Sequence, residues 1–158
     1  MEISAAENKD ALKNKLLELF SVNKKNLTDK SLSIIGEIRQ KAVEDFSRLG
    51  FPSYDIEEWR NTDISKITGI DYVFSVIPPN KTIDIDRLFT CEVPNMDTYL
   101  VTLLNGWFTY KNNSISVLED GTVIGSFAQA IKLYPNIVQK HFGQYALSSN
   151  NGLNAINT

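Results

Sequence analysis

The chain has 158 residues, 42% of them hydrophobic, with 16 basic and 19 acidic side chains and a net charge of −3. That is enough for one ordinary domain, or two small subdomains sharing a boundary. The charges are interspersed and slightly acidic, so no positive field faces a phosphate backbone, and no run reaches the ~18 apolar residues of a membrane span.

The opening "MEISAAENKD" is polar and acidic. It lacks the positive and apolar regions of a secretory signal and the Arg-rich character of a transit peptide. Asn26, Asn80 and Asn112 each begin an Asn-x-Ser/Thr triplet, which without a secretion signal reads as chance. The single cysteine, Cys91, makes no internal disulfide, and a cytoplasmic protein is expected.

A first helix is predicted over residues 4–20. Ser4 and Glu7 have capping-box spacing, and Leu12, Leu16, Leu19 and Phe20 share one face. That face is narrow, so the helix must dock on something larger. A second helix is predicted over about 30–49, with Thr28, Asp29 or Ser31 as its cap. Ile35, Ile38, Ala42, Phe46 and Leu49 make its apolar stripe, weakened at Gly36. Gly50 suits the left-handed position after the last turn, and Pro52 prevents continuation.

The stretch "LGFPSYDIEEWRNTDI", residues 49–64, follows. Ser53 or Asp55 can cap a short helix with Glu57 and Glu58 in its first turn, where carboxylates meet the positive end of the helix dipole. Glu57 and Arg60 have the spacing of an exposed i,i+3 pair. Trp59 has the surface to pack beneath Phe51 or Ile56, and it is expected to anchor this stretch as a fastening between the first helices and the rest of the domain. Asn61, Thr62 and Asp63 stop this element and start another before Ile64 and Ile67.

Residues 1–69 therefore read as a helical region. Residues 70–97, with Pro78, Pro79 and Pro94, read as a connector of short extended pieces. Residues 98–147 read as a small α+β region. "TYLVTLL" is strand-like, Asn105-Gly106 is a two-residue hairpin turn, and "WFTY" returns. A turn at Lys111–Asn113 leads to "SISVL", and Asp120-Gly121 leads to "TVIG". Ser126 and Gln129 then cap a helix carrying Phe127, Ala130, Ile131 and Tyr134. Pro135 suits the first position of a second short helix, which carries Val138 and Phe142 and ends at Gly143. The tail, 148–158, is polar and turn-like. The fold class is α+β: N-terminal helices, a small antiparallel sheet and two short helices.

Few residues offer chemistry. Glu57 or Glu58 would act as a general acid or base if buried with a raised pKa. Neighbours on a helix point about 100° apart, however, so the two do not face one substrate, and helix-start electrostatics explains both. His141, the only histidine, has no ligand partners at metal-binding spacing. Cys91 alone cannot hold an iron–sulfur cluster in one copy of the chain. Trp107, Phe108 and Tyr110 suggest an aromatic surface, but alternate aromatics in a sheet more often serve cross-strand packing. No Walker A, dinucleotide-binding or nucleophile-elbow pattern is present. No catalytic, cofactor-binding or metal-binding residue is assigned, and a non-enzymatic, structural or partner-binding module is expected.

Several segments together resemble one family. "GFPSYDIEEWRNTDI" is similar to the N-terminal signature of the SufD family of iron–sulfur cluster assembly proteins. In that signature Gly-Phe-Pro precedes Glu-Glu-Trp-Lys-Tyr-Thr. Arg60 here replaces Lys and Asn61 replaces Tyr. "LLNGWF", "EDGTVIGSFAQAIKLYP" and "NGLNAINT" resemble the family's later segments in the same order, over about residues 30–158. The resemblance implies a non-enzymatic scaffold subunit that partners SufB and the ATPase SufC, with an iron–sulfur cluster on the full complex. It implies a right-handed parallel β-helix after this region, with residues 148–158 beginning the linker to it, so that the chain is an N-terminal fragment. Two other readings compete: a free-standing interaction module, and a small acid/base enzyme using Glu57 or Glu58.

Overall fold

The computed structural model describes residues 5–27, 33–77, 84–88, 99–109 and 115–158. They fall into two compact units, one drawn from Met1–Val73 and Pro135–Thr158, the other from Phe74–Tyr134.

In the first unit, helix α1 spans Ala5–Leu27 and α2 spans Ser33–Leu49. The proposed caps at Ser4, Thr28, Asp29 and Ser31 lie outside the described residues. Helix α1 runs seven residues past its expected end. The extension is polar, which a helix tolerates where it leaves the core, and Lys24 and Lys25 in the last turn complement the dipole. Asn23 Nδ2 also donates to the Leu19 carbonyl (2.9 Å).

The stripe on α2 is the core of this unit. Ile35 is fully buried, and Ala42 and Phe46 are 2% and 4% exposed. Helix α7 (Gly152–Ile156) lies against α2 and contributes Ala155 to the interior, while α3 (Ser65–Thr68), preceded by the buried Ile64, packs on α1, and α6 (Pro135–His141) buries Val138. Leu12 is buried on α1, while Leu16, Leu19 and Phe20 are only partly covered. Lys15 Nζ ties α1 to the chain after α3 through Asp71 Oδ1 (2.6 Å) and the Tyr72 carbonyl (2.7 Å).

Helix α7 departs from expectation, since this tail reads as turn-like in sequence. Asn151 supplies the missing start signal: its Oδ1 accepts from the Asn154 backbone N–H (2.9 Å). Packing supplies the rest. Gly152 and Ala155 are buried, and α7 lies along α2. A run of Gly and Asn has poor intrinsic helix propensity, so tertiary burial decides the conformation.

In the second unit, α4 (Ile85–Leu88) begins where Asp84 Oδ1 accepts from the Arg87 N–H (3.3 Å). Strands β1 (Leu103–Leu104) and β2 (Trp107–Phe108) pair antiparallel, with Leu103 opposite Phe108 and Leu104 opposite Trp107. Asn105 and Gly106 both have positive φ, 50° and 84°, as a two-residue hairpin with the native twist requires. The Thr109 N–H donates to the Thr102 carbonyl (3.1 Å), extending the pairing by one step.

Strands β3 (Ser116–Val117) and β4 (Val123–Ile124) form a second antiparallel pair. Its turn is closed by the Thr122 N–H donating to Asp120 Oδ1 (2.8 Å), which holds the Asp120 carboxyl below its ordinary pKa. The described residues thus make two separate two-stranded ribbons rather than one continuous sheet. The third-strand connection expected at 111–113 lies outside the described residues. Helix α5 (Phe127–Leu133) is capped as predicted: Ser126 Oγ accepts from the Gln129 N–H (3.2 Å), and Ile131 is buried. The architecture is α+β, as its sequence pattern indicates.

Candidate functional site

The stretch after α2 is where sequence motifs and structure meet. Gly50 adopts φ +63°, and its N–H donates to the Phe46 carbonyl (2.8 Å), closing the last turn of α2. The chain then reverses, so that Phe51 meets Phe46 edge-on, with ring centroids 5.3 Å apart. Pro52 is buried. The anchor of this loop is therefore Phe51 and Pro52.

Trp59 plays a smaller part than expected. It is only half-buried and lies in a 3₁₀ turn, Glu57–Trp59, that contains no fully buried residue. The expected caps are also replaced. The residue before the turn is Ile56, without a side-chain cap, while Ser53 Oγ donates to Asp55 Oδ2 (3.0 Å). One 3₁₀ turn aligns too few peptide dipoles for the helix-start argument to explain Glu57 and Glu58. The turn is held by its backbone: the Trp59 N–H donates to the Ile56 carbonyl (2.8 Å) and the Thr62 N–H to the Trp59 carbonyl (2.9 Å).

Glu57 and Arg60 form the predicted i,i+3 ion pair (2.5 Å), with side chains 76% and 62% exposed. Glu58 is exposed as well. Both carboxylates are open to water, and neither sits in an apolar cleft of the kind acid/base work needs. The start signal at 61–63 is realised by Asp63, whose Oδ1 accepts from the Ser65 N–H (2.8 Å). Desolvation, followed by the neighbouring Asp63, raises the Tyr54 phenol above its usual pKa.

The other singled-out residues are scattered. His141 lies at the exposed end of α6, with Nδ1 2.6 Å from Tyr145 Oη and the two rings stacked 5.9 Å apart. Trp107 and Phe108 are half-buried neighbours on β2, so their side chains leave opposite faces of the ribbon. Trp107 Nε1 donates to the Ser75 carbonyl (3.1 Å), which makes it a loop fastening. Cys91 and Tyr110 lie outside the described residues. Among the described residues, no three His, Cys, Asp or Glu side chains converge where they could hold a metal ion.

Among the described residues, the polar constellation with the most partners centres on Asp45, which the sequence pattern does not mark. Asp45, 9% exposed on α2, accepts from Lys41 Nζ (2.7 Å), Arg48 Nη2 (3.2 Å) and Ser148 Oγ (2.6 Å). Hydrogen bonds from Lys41 and Ser148, with Arg48 adding to them against the cost of desolvation, hold its carboxyl down to about 2. The Lys41/Asp45/Arg48 spacing is legible along a helix. Ser148, 103 residues away, is not.

Beside this network Gly152 abuts the Gly50 carbonyl. A Cβ on Gly152 would fall inside the contact radius of that oxygen, 2.8 Å from Gly50 C and 3.4 Å from Phe46 Cδ2. The "GFP" loop and the "NGL" segment, both noted in sequence, thus touch each other. An apolar groove of about 350 Å³ lies among α1, α2 and α7, lined by Leu16, Phe20, Val43, Phe46 and Ile156 with Arg39 among them. A shallower one of about 630 Å³ runs past His141, Tyr145 and Asn154.

Together these features define a small α+β module in which the "GFP" and "NGL" segments join α2 to α7, while "LLNGWF" forms a β-hairpin. The chain belongs to the family described as the SufBD protein N-terminal region, which it matches over residues 10–158. No curated protein and no solved structure matches it. Among the described residues, no helix is long and apolar enough to cross a membrane.

Proposed function

We propose that this chain is the N-terminal, non-catalytic region of a SufD-like subunit of an iron–sulfur cluster assembly scaffold. The observation that carries the reading is the family match over residues 10–158, which supports a role in iron–sulfur cluster assembly. The narrower assignment to SufD rests on the ordered resemblance of "GFPSYDIEEWR", "LLNGWF" and "NGLNAINT" to that subunit's segments. The solvated Glu57–Arg60 pair and the exposed Glu58 favour a structural role for this loop over acid/base work. The nascent cluster is cargo of the assembly, and no residue here is assigned to it. The partners are SufB and SufC homologues, met through the β-helix and C-terminal parts that the resemblance implies, and the compartment is the cytoplasm.

An antibody raised against residues 1–158 tests this in cell extract. The expected result is co-purification of an ATPase and a second β-helix protein with a species several-fold larger than the 17.8 kDa chain. A species at that mass with neither partner overturns the scaffold reading in favour of a free-standing interaction module. The Glu57→Gln/Glu58→Gln double variant should leave cluster delivery to a reporter iron–sulfur enzyme unchanged. Loss of delivery by a normally folded variant would return the acid/base reading.

A further inference from the structure

We draw no further inference here: the strongest candidate, the apolar groove among α1, α2 and α7 lined by Leu16, Phe20, Val43 and Ile156, carries nothing because nothing in the structure shows what covers it.

Discussion

Replacing Gly152 by alanine should undock α7. The added methyl would overlap the Gly50 carbonyl oxygen and lie 2.8 Å from its carbon. Those atoms cannot step aside cheaply, because the Gly50 N–H is committed to the Phe46 carbonyl (2.8 Å) and Phe51 packs on Phe46. The strain must therefore be relieved by moving α7. Overpacking of this kind costs about 1–3 kcal/mol. A backbone obstacle places Gly152→Ala in the upper half of that range, and the better helix propensity of alanine returns less than about 1 kcal/mol. For a unit of roughly 100 residues, a net loss near 2 kcal/mol lowers Tm by about 8–16 °C. Circular dichroism measures the melt. Hydrogen exchange at the Ala155 amide, which donates to the Asn151 carbonyl (3.2 Å), reports on α7 itself. Gly106→Ala is the control. It adds backbone strain at φ +84° with open space around the methyl, so its cost should leave α7 protection untouched. Unchanged Tm and unchanged Ala155 protection in Gly152→Ala would refute the close approach.

The remaining expectations concern the same joints. The Asp45 carboxyl is held at about 2 against an ordinary 3.8. Its contribution to stability is therefore complete above the ordinary value and is lost as pH falls toward 2. Asp45→Asn should flatten the dependence of Tm on pH between 4 and 2, and acid profiles that superimpose on the parent's would contradict the network. Phe46→Ala removes a ring that is 4% exposed and should cost about 3–5 kcal/mol in chemical denaturation; a loss below about 1 kcal/mol would mean that the ring is not part of the core. Trp59→Ala, at a half-buried ring, should cost about 2 kcal/mol, and a loss near 5 kcal/mol would restore Trp59 as the main anchor. Arg60→Ala should change stability by less than about 0.5 kcal/mol, since the pair it breaks is solvated; a drop in Tm of many degrees would show that the pair holds the loop.

Local rules carried much of the architecture. The α2 stripe, the Gly50 stop, the Asn105-Gly106 hairpin, the Ser126 cap and the Asp63 start signal all depend on neighbours within a few residues, and each appears in the structure. The Glu57–Arg60 pair was legible for the same reason, because helical and 3₁₀ turns both bring i and i+3 together. The 53–60 turn is less legible in sequence. Its residues satisfy a capping pattern on paper, but Ser53 bonds Asp55, so the backbone closes a 3₁₀ turn behind Ile56.

Residue order by itself determined where α1, α2, α5, α6 and the hairpin turns form, and which family the motifs resemble. It did not reveal what the motifs are for, because that depends on partners far away in the chain. Asp45 needs Ser148, and Gly50 needs Gly152, across about a hundred residues of intervening sequence. A polar Gly- and Asn-rich tail becomes a helix only when α2 supplies a surface to bury it. Glycine is required at its first turn by the approach of another backbone, which no periodicity records.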